Sequence, residues 1–176
     1  RSLERWSTPL RNLRDRLERL ESRLAASGRS GRFRAENLRP EFLPAVRTLM
    51  SDEHLLEGIE ITLFGEKTGR RYDPKFSFGV FSDGKLVGAI LARRAAHDIV
   101  LVDAEAVARP FRGAFDLVHL LLLRAILQPS CEFGAQRFVY TVDKNKHAET
   151  GRMARRSGSQ LVREGVQLVR DLANDP

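Results

Sequence analysis

The sequence predicts a mixed α/β domain, a partly antiparallel sheet flanked by helices, with a leucine-heptad helix in front of it. Three observations carry that reading. Phe76-Ser-Phe-Gly-Val-Phe81 alternates, and the apolar run Lys85 to Ala92 follows it across Ser82-Asp83-Gly84, a turn signal for a hairpin. Ala114 to Leu127 is apolar on nearly every side, as a buried core helix should be. Leu10, Leu13, Leu17, Leu20 and Leu24 recur in steps of three and four, the spacing of a heptad seam.

The elements follow in order. Thr8 suits a helix cap and Pro9 the first helical position, so the heptad helix is expected to begin there, with Leu3 and Trp6 continuing its register backwards. Its flanks pair Arg14 with Glu18 and Asp15 with Arg19. The apolar stripe needs a partner: a second copy, the domain's own surface, or sequence outside this stretch. Gly28 to Gly31 reads as a flexible linker, which divides the chain into a basic helix with linker at residues 1–31 and a domain at residues 32–176. In that domain Arg32 to Leu38 is expected as a strand, Pro40 to Met50 as a helix, and Leu55 to Phe64 as a second helix. Ile99 to Val107 and Arg137 to Val142 read as strands, with a polar helix near His147 to Arg156. Gln160 to Val162 and Val166 to Leu172 read as a closing strand pair around Gly165.

Composition narrows the class. The 176 residues hold a single cysteine, Cys131, so no internal disulfide can form and a cytoplasmic setting is the expectation. The apolar stretch 114–127 is interrupted by Asp116, His119 and Arg124, too short and too polar to span a membrane. The formal net charge is +7, and residues 1–32 carry nine Arg against four acidic residues. Such an excess suits an anionic partner, although a solvated helix face explains it as well. No His or Cys cluster has metal-ligand spacing, so no metal is expected.

The chemistry concentrates between Ile99 and Leu127. A strand runs into Val107-Ala-Arg-Pro-Phe-Arg-Gly113 and then straight into the buried helix. Pro110 cannot continue a ladder. Arg112 and Gly113 then lie at a helix mouth, where free N–H groups and the positive dipole end make an anion site.

This segment resembles the acyl-CoA motif of the GNAT acetyltransferases, in which a hydrophobic strand ends in proline, an aromatic residue and an arginine–glycine pair at a helix start. Phe78 to Gly88 is similar to the family's hairpin of strands two and three, and Phe138-Val-Tyr-Thr-Val-Asp-Lys-Asn145 to its strand five. Ala148 and Arg156-Ser-Gly158 resemble the following helix. The likeness runs from about Arg32 to Leu172. It departs at Phe115 and Leu117, which stand where the family has glycine or alanine, and at Arg152 to Ala154, where the family has a tyrosine acid.

The resemblance implies an N-acyltransferase that moves an acyl group, acetyl above all, from acyl-CoA to an amine. Strands four and five of the family splay, and the pantetheine arm pairs in the gap with strand-four backbone, here Ala106, Val107 and Ala108. The pyrophosphate would meet Arg112, Gly113, Ala114 and Phe115, and Asn145 would face the pantetheine. Glu105, a carboxylate in an apolar strand, is the first choice of general base, and Asp103 shares its facing if side chains alternate strictly. Either acid could instead pair with Arg93 or Arg94. Tyr140 is the candidate acid, while His119 reads as a core histidine, His147 as a weaker candidate, and Cys131 as structural. The acceptor could be a small amine, a protein amino group or aminoacyl-tRNA, and a homodimer could form through the first helix. The rival classes are a catalytically inactive GNAT-like binding or assembly module and a basic nucleic-acid binder.

Overall fold

The structure, a computed structural model, describes residues 2–15, 17–18, 32–52, 73–143, 154–155 and 158–166. Seven strands form one sheet: β1 (Ser2–Pro9), β2 (Phe33–Asn37), β3 (Phe78–Ser82), β4 (Lys85–Ala96), β5 (Ile99–Val107), β6 (Arg137–Asp143) and β7 (Gln160–Val166). Their order across the sheet is β2-β3-β4-β5-β6-β1-β7. Only β5 and β6 run parallel, joined by a crossover through a short 3-10 turn (Arg109–Ala114) and a helix, α3 (Phe115–Phe133). Helix α1 follows β1 over residues 10–15 and 17–18, and α2 (Leu43–Asp52) follows a 3-10 turn at Pro40–Phe42. The expected helix at Leu55 to Phe64 lies outside the described residues.

The predicted hairpin is β3–β4, closed by Asp83 and Gly84, both with positive φ (51° and 75°). Ala89 and Leu91 pack beneath α2 with Val46, Leu49 and Met50. Their neighbour Ile90 belongs to the other layer with Val118, Leu122 and Ile126 of α3, as period-two alternation requires. Gly88 lets α3 approach the sheet: a Cβ there would lie 2.5 Å from Val118 Cγ1. Gly88→Val is therefore expected to destabilise the fold by about 1–3 kcal/mol, read as a lower urea midpoint. An unchanged midpoint would mean that α3 is not held against the strand at this point. Helix α3 runs through Pro129 and ends at Gly134 (φ 86°), where a left-handed residue suits the cap.

The amino-terminal segment differs from the sequence reading. Ser2–Pro9 is a strand, and the helix starts one residue later, at Leu10. Strand β1 pairs antiparallel with β6 on one side and β7 on the other. Two open edges of the sheet thus outweigh the helical spacing of Leu3 and Trp6, because local propensity is a weak prior against tertiary pairing. Leu10, Leu13 and Leu17 are each no more than 6% exposed and belong to the same cluster as α3. Arg14 Nη2 donates to Cys131 Sγ at 3.1 Å, tying α1 to α3. Residues 2–15, 17 and 18 thus belong to the same sheet and core as the domain expected from residue 32 onward. A dimer through the leucine seam would rest on Leu20 and Leu24, which lie outside the described residues. Of the closing strand pair expected around Gly165, residues 167–172 lie outside the described residues. Residues 160–166 form one strand that runs through Gly165, and its partner is β1. Among the described residues no helix is long and apolar enough to cross a membrane, and no cluster of His, Cys, Asp and Glu could hold a metal ion.

Candidate active site

The parallel pair β5–β6 is hydrogen-bonded from Ile99↔Arg137 to Val102↔Tyr140 and no further. Strand β5 continues to Val107 and β6 to Asp143, so their carboxyl ends flank an opening in the sheet. The 3-10 turn and the start of α3 follow directly from the β5 side of that opening.

The backbone of β5 is divided between two neighbours. Ala108 N–H donates to Val87 C=O at 2.9 Å, across to β4. Hydrogen-bonded and non-bonded pairs alternate along an antiparallel ladder. Ala106, paired with Ala89, therefore also faces β4, whereas Val107 and Glu105, paired with Gly88 and Ile90, turn their N–H and C=O groups toward the opening. Of Ala106, Val107 and Ala108, only Val107 presents its backbone to the gap. Sequence reasoning missed the backbone of Glu105, for which a count of alternation back from Pro110 would have been the signal.

The two acidic candidates part company. The register slips between Leu91 and Ala92, which pair with Ala104 and Val102, so Asp103 is the extra residue of a β-bulge. Strict alternation therefore fails, and Asp103 and Glu105 do not share a partner or a facing. Asp103 accepts from Arg93 Nε at 2.9 Å. Glu105 Oε1 instead meets His119 Nδ1 on the second turn of α3. His119 is 8% exposed. It is buried, as the sequence reading has it, yet its ring meets the carboxylate at the edge of the opening. The crossover makes this contact, because the helix that leaves β5 folds back over the strand.

Tyr140, the last residue of β6 paired with β5, joins a set of hydroxyls. Thr8 Oγ1 and Ser159 Oγ lie 2.6 Å apart, and each is 3.3 Å from Tyr140 Oη. The partners come from β1 and from the approach to β7, so no local sequence signal could have found them. The loop itself is braced by Phe111, whose ring meets Phe33 of β2 edge-on at 6.1 Å. Leu117, at one of the places where glycine or alanine was expected, is buried in the body of the protein. Asn145 and His147 lie outside the described residues.

No known family model and no curated protein sequence matches this chain. Solved structures do match it. A GCN5-related N-acetyltransferase from Sphaerobacter thermophilus superposes with a TM-score of 0.57 at 16% identity, covering 93% of this chain and 49% of its own. The fold is that of the GNAT acetyltransferases. An aminoglycoside acetyltransferase from an uncultured soil metagenomic sample also has it, with a TM-score of 0.52 and 17% identity over 81% of this chain and 98% of its own. A conserved protein of unknown function from Staphylococcus epidermidis superposes at 0.58 with 9% identity, over 91% of this chain and 57% of its own. The chain thus spans about half the length of the first two solved structures of this group that cover most of it, those from Staphylococcus and Sphaerobacter.

Proposed function

We propose that this protein is an acyl-CoA-dependent N-acyltransferase, with acetyl-CoA as the cosubstrate, that transfers by direct attack of an amine on the thioester. The observation that carries the reading is the end of β5–β6 pairing at Val102↔Tyr140, beside a strand that leads straight into a helix start. The free backbone groups of Val107 and Glu105 suit the amides of a pantetheine arm. The helix start at residues 109–115 suits the pyrophosphate, where N–H groups and the dipole favour an anion. In the reaction Glu105 first takes one proton from the ammonium, the freed amine nitrogen bonds to the thioester carbon, and the C–S bond breaks. The departing thiolate takes a proton from the hydroxyl set around Tyr140 or from water, and the second nitrogen proton, released as the amide forms, restores that donor. Asp103 is a poorer base than Glu105, because Arg93 already occupies its carboxylate.

Calorimetric titration with acetyl-CoA and a thiol-release assay against mixed amines test the reading together. Saturable binding and thiol release are expected. Binding without release would leave the inactive module, and no binding would remove the acyl-CoA site. Gly113→Val should weaken acetyl-CoA by about tenfold or more, since a β-branched side chain at the helix mouth blocks close approach of phosphate. Unchanged affinity in that variant would place the site elsewhere.

A further inference from the structure

A row of exposed polar side chains crosses the sheet away from the opening. Thr141 is the first residue of β6 beyond the last β5–β6 pair, and its side chain is exposed. Arg5 of β1 stands directly opposite Thr141, and Arg163 of β7 directly opposite Arg5. Residues in direct register share a face, so the three side chains line up from the opening outward. The adjacent residues of β1, Glu4 and Trp6, are buried on the other face, and both arginines are exposed.

Two like charges directly opposite each other weaken a strand pair. Among the side chains described, no carboxylate meets either guanidinium. The bulge that follows adds a second irregularity. Val162 is the extra residue between Arg163 and Leu161, and it is 59% exposed. Paired guanidiniums on neighbouring strands suit one ligand chemistry, an oxyanion bridged between two forks of N–H donors.

The geometry points to a binding site for the acceptor: the row Thr141–Arg5–Arg163 holds a carboxylate or phosphate on the amine substrate, while the amine enters the opening. This inference rests on the acyltransferase reading and adds the acceptor's chemistry to it. Strands lie about 4.8 Å apart, so Arg163 is roughly 10 Å from β6. The favoured acceptor carries its anion at about that distance from the reacting nitrogen.

An extended peptide advances about 3.3 Å per residue, so a tetrapeptide with a free α-amine and an acid at its fourth position has the required span. Calorimetry on the full chain, in low salt, would compare tetrapeptides ending in Asp, phosphoserine or Asn, each with its carboxyl end amidated. Binding of the Asp or phosphoserine peptide should be about tenfold or more tighter than that of the Asn peptide. The ratio between the first two tells carboxylate from phosphate. The double variant R5Q/R163Q should erase the preference, leave acetyl-CoA affinity unchanged and raise Tm, because the repulsion is gone. A merely structural pair would not tie the loss of anion preference to a gain in stability. Equal binding of acidic and neutral peptides, no binding of any, or a preference that survives in the double variant would overturn the site. A persistent preference with no thiol release from any amine would keep the oxyanion site and remove the acyl-transfer reading beneath it.

Discussion

Glu105→Gln should lower kcat/KM by about 10²-fold or more at neutral pH and leave acetyl-CoA affinity near the wild-type value. The amide keeps the shape of the carboxylate and can still hydrogen-bond His119, so packing on α3 is preserved while the proton acceptor is lost. Asp103→Asn is the control. Its carboxylate is occupied by Arg93, so that variant should lose stability more than turnover. His119→Gln separates position from chemistry. If the imidazole only orients Glu105, this variant lowers kcat less than Glu105→Gln does and leaves KM for acetyl-CoA near the wild-type value. Wild-type turnover in Glu105→Gln would hand the proton to solvent or to the acceptor.

The second large effect is on folding. Trp6→Ala is expected to cost about 3–5 kcal/mol in urea unfolding, as deletion of a large buried aromatic does. Trp6 is 4% exposed and packs with Val142 and Ala154, and its indole N–H donates to Glu4 Oε2 at 3.1 Å. Removing the indole leaves a cavity and takes a donor from a buried carboxylate, and both effects destabilise. Such a cost is a large part of a typical domain's stability, about 5–15 kcal/mol. A chain shortened to begin at Gly31 loses all of β1 and the leucines of α1 and should show no cooperative transition. A shortened chain that melts at the wild-type midpoint would show that β1 is dispensable.

Much of the sheet was legible in the sequence because its signals are local. The β3–β4 hairpin announces itself through alternation around Ser82-Asp83-Gly84, and α3 through an apolar run too continuous for a surface helix. The end of β5 was legible through Pro110, which cannot continue a ladder, whereas the opening, which begins beyond Val102, was expected only from the GNAT resemblance. What escaped was set by partners distant along the chain. Leu3 and Trp6 fit a helical register, and only the waiting edges of β6 and β7 make their segment a strand. The bulge at Asp103 has no composition signal, since an acid in a strand reads the same with or without a slip in register. The hydroxyl set on Tyr140 spans 132 positions to Thr8, beyond any window of sequence. The continuation of α3 through Pro129 likewise owes more to burial of Ile126 and Ser130 than to propensity, which would end the helix before the proline.

The place of β1 also bears on how the chain is made. The strand is synthesised before the other six strands described, yet both of its neighbours, β6 and β7, are the last two of the seven to be made. Strands β2 to β5 can pair in order as they emerge, whereas the remaining part of the sheet must wait for a contact that closes most of the chain into a loop. The entropy of such closure grows only slowly with length, but contacts of large sequence separation slow folding strongly. Until β6 and β7 have been made, β1 has neither of its strand partners. Pairing of residues 2–9 with β6 and β7 is therefore expected to be a late step in folding.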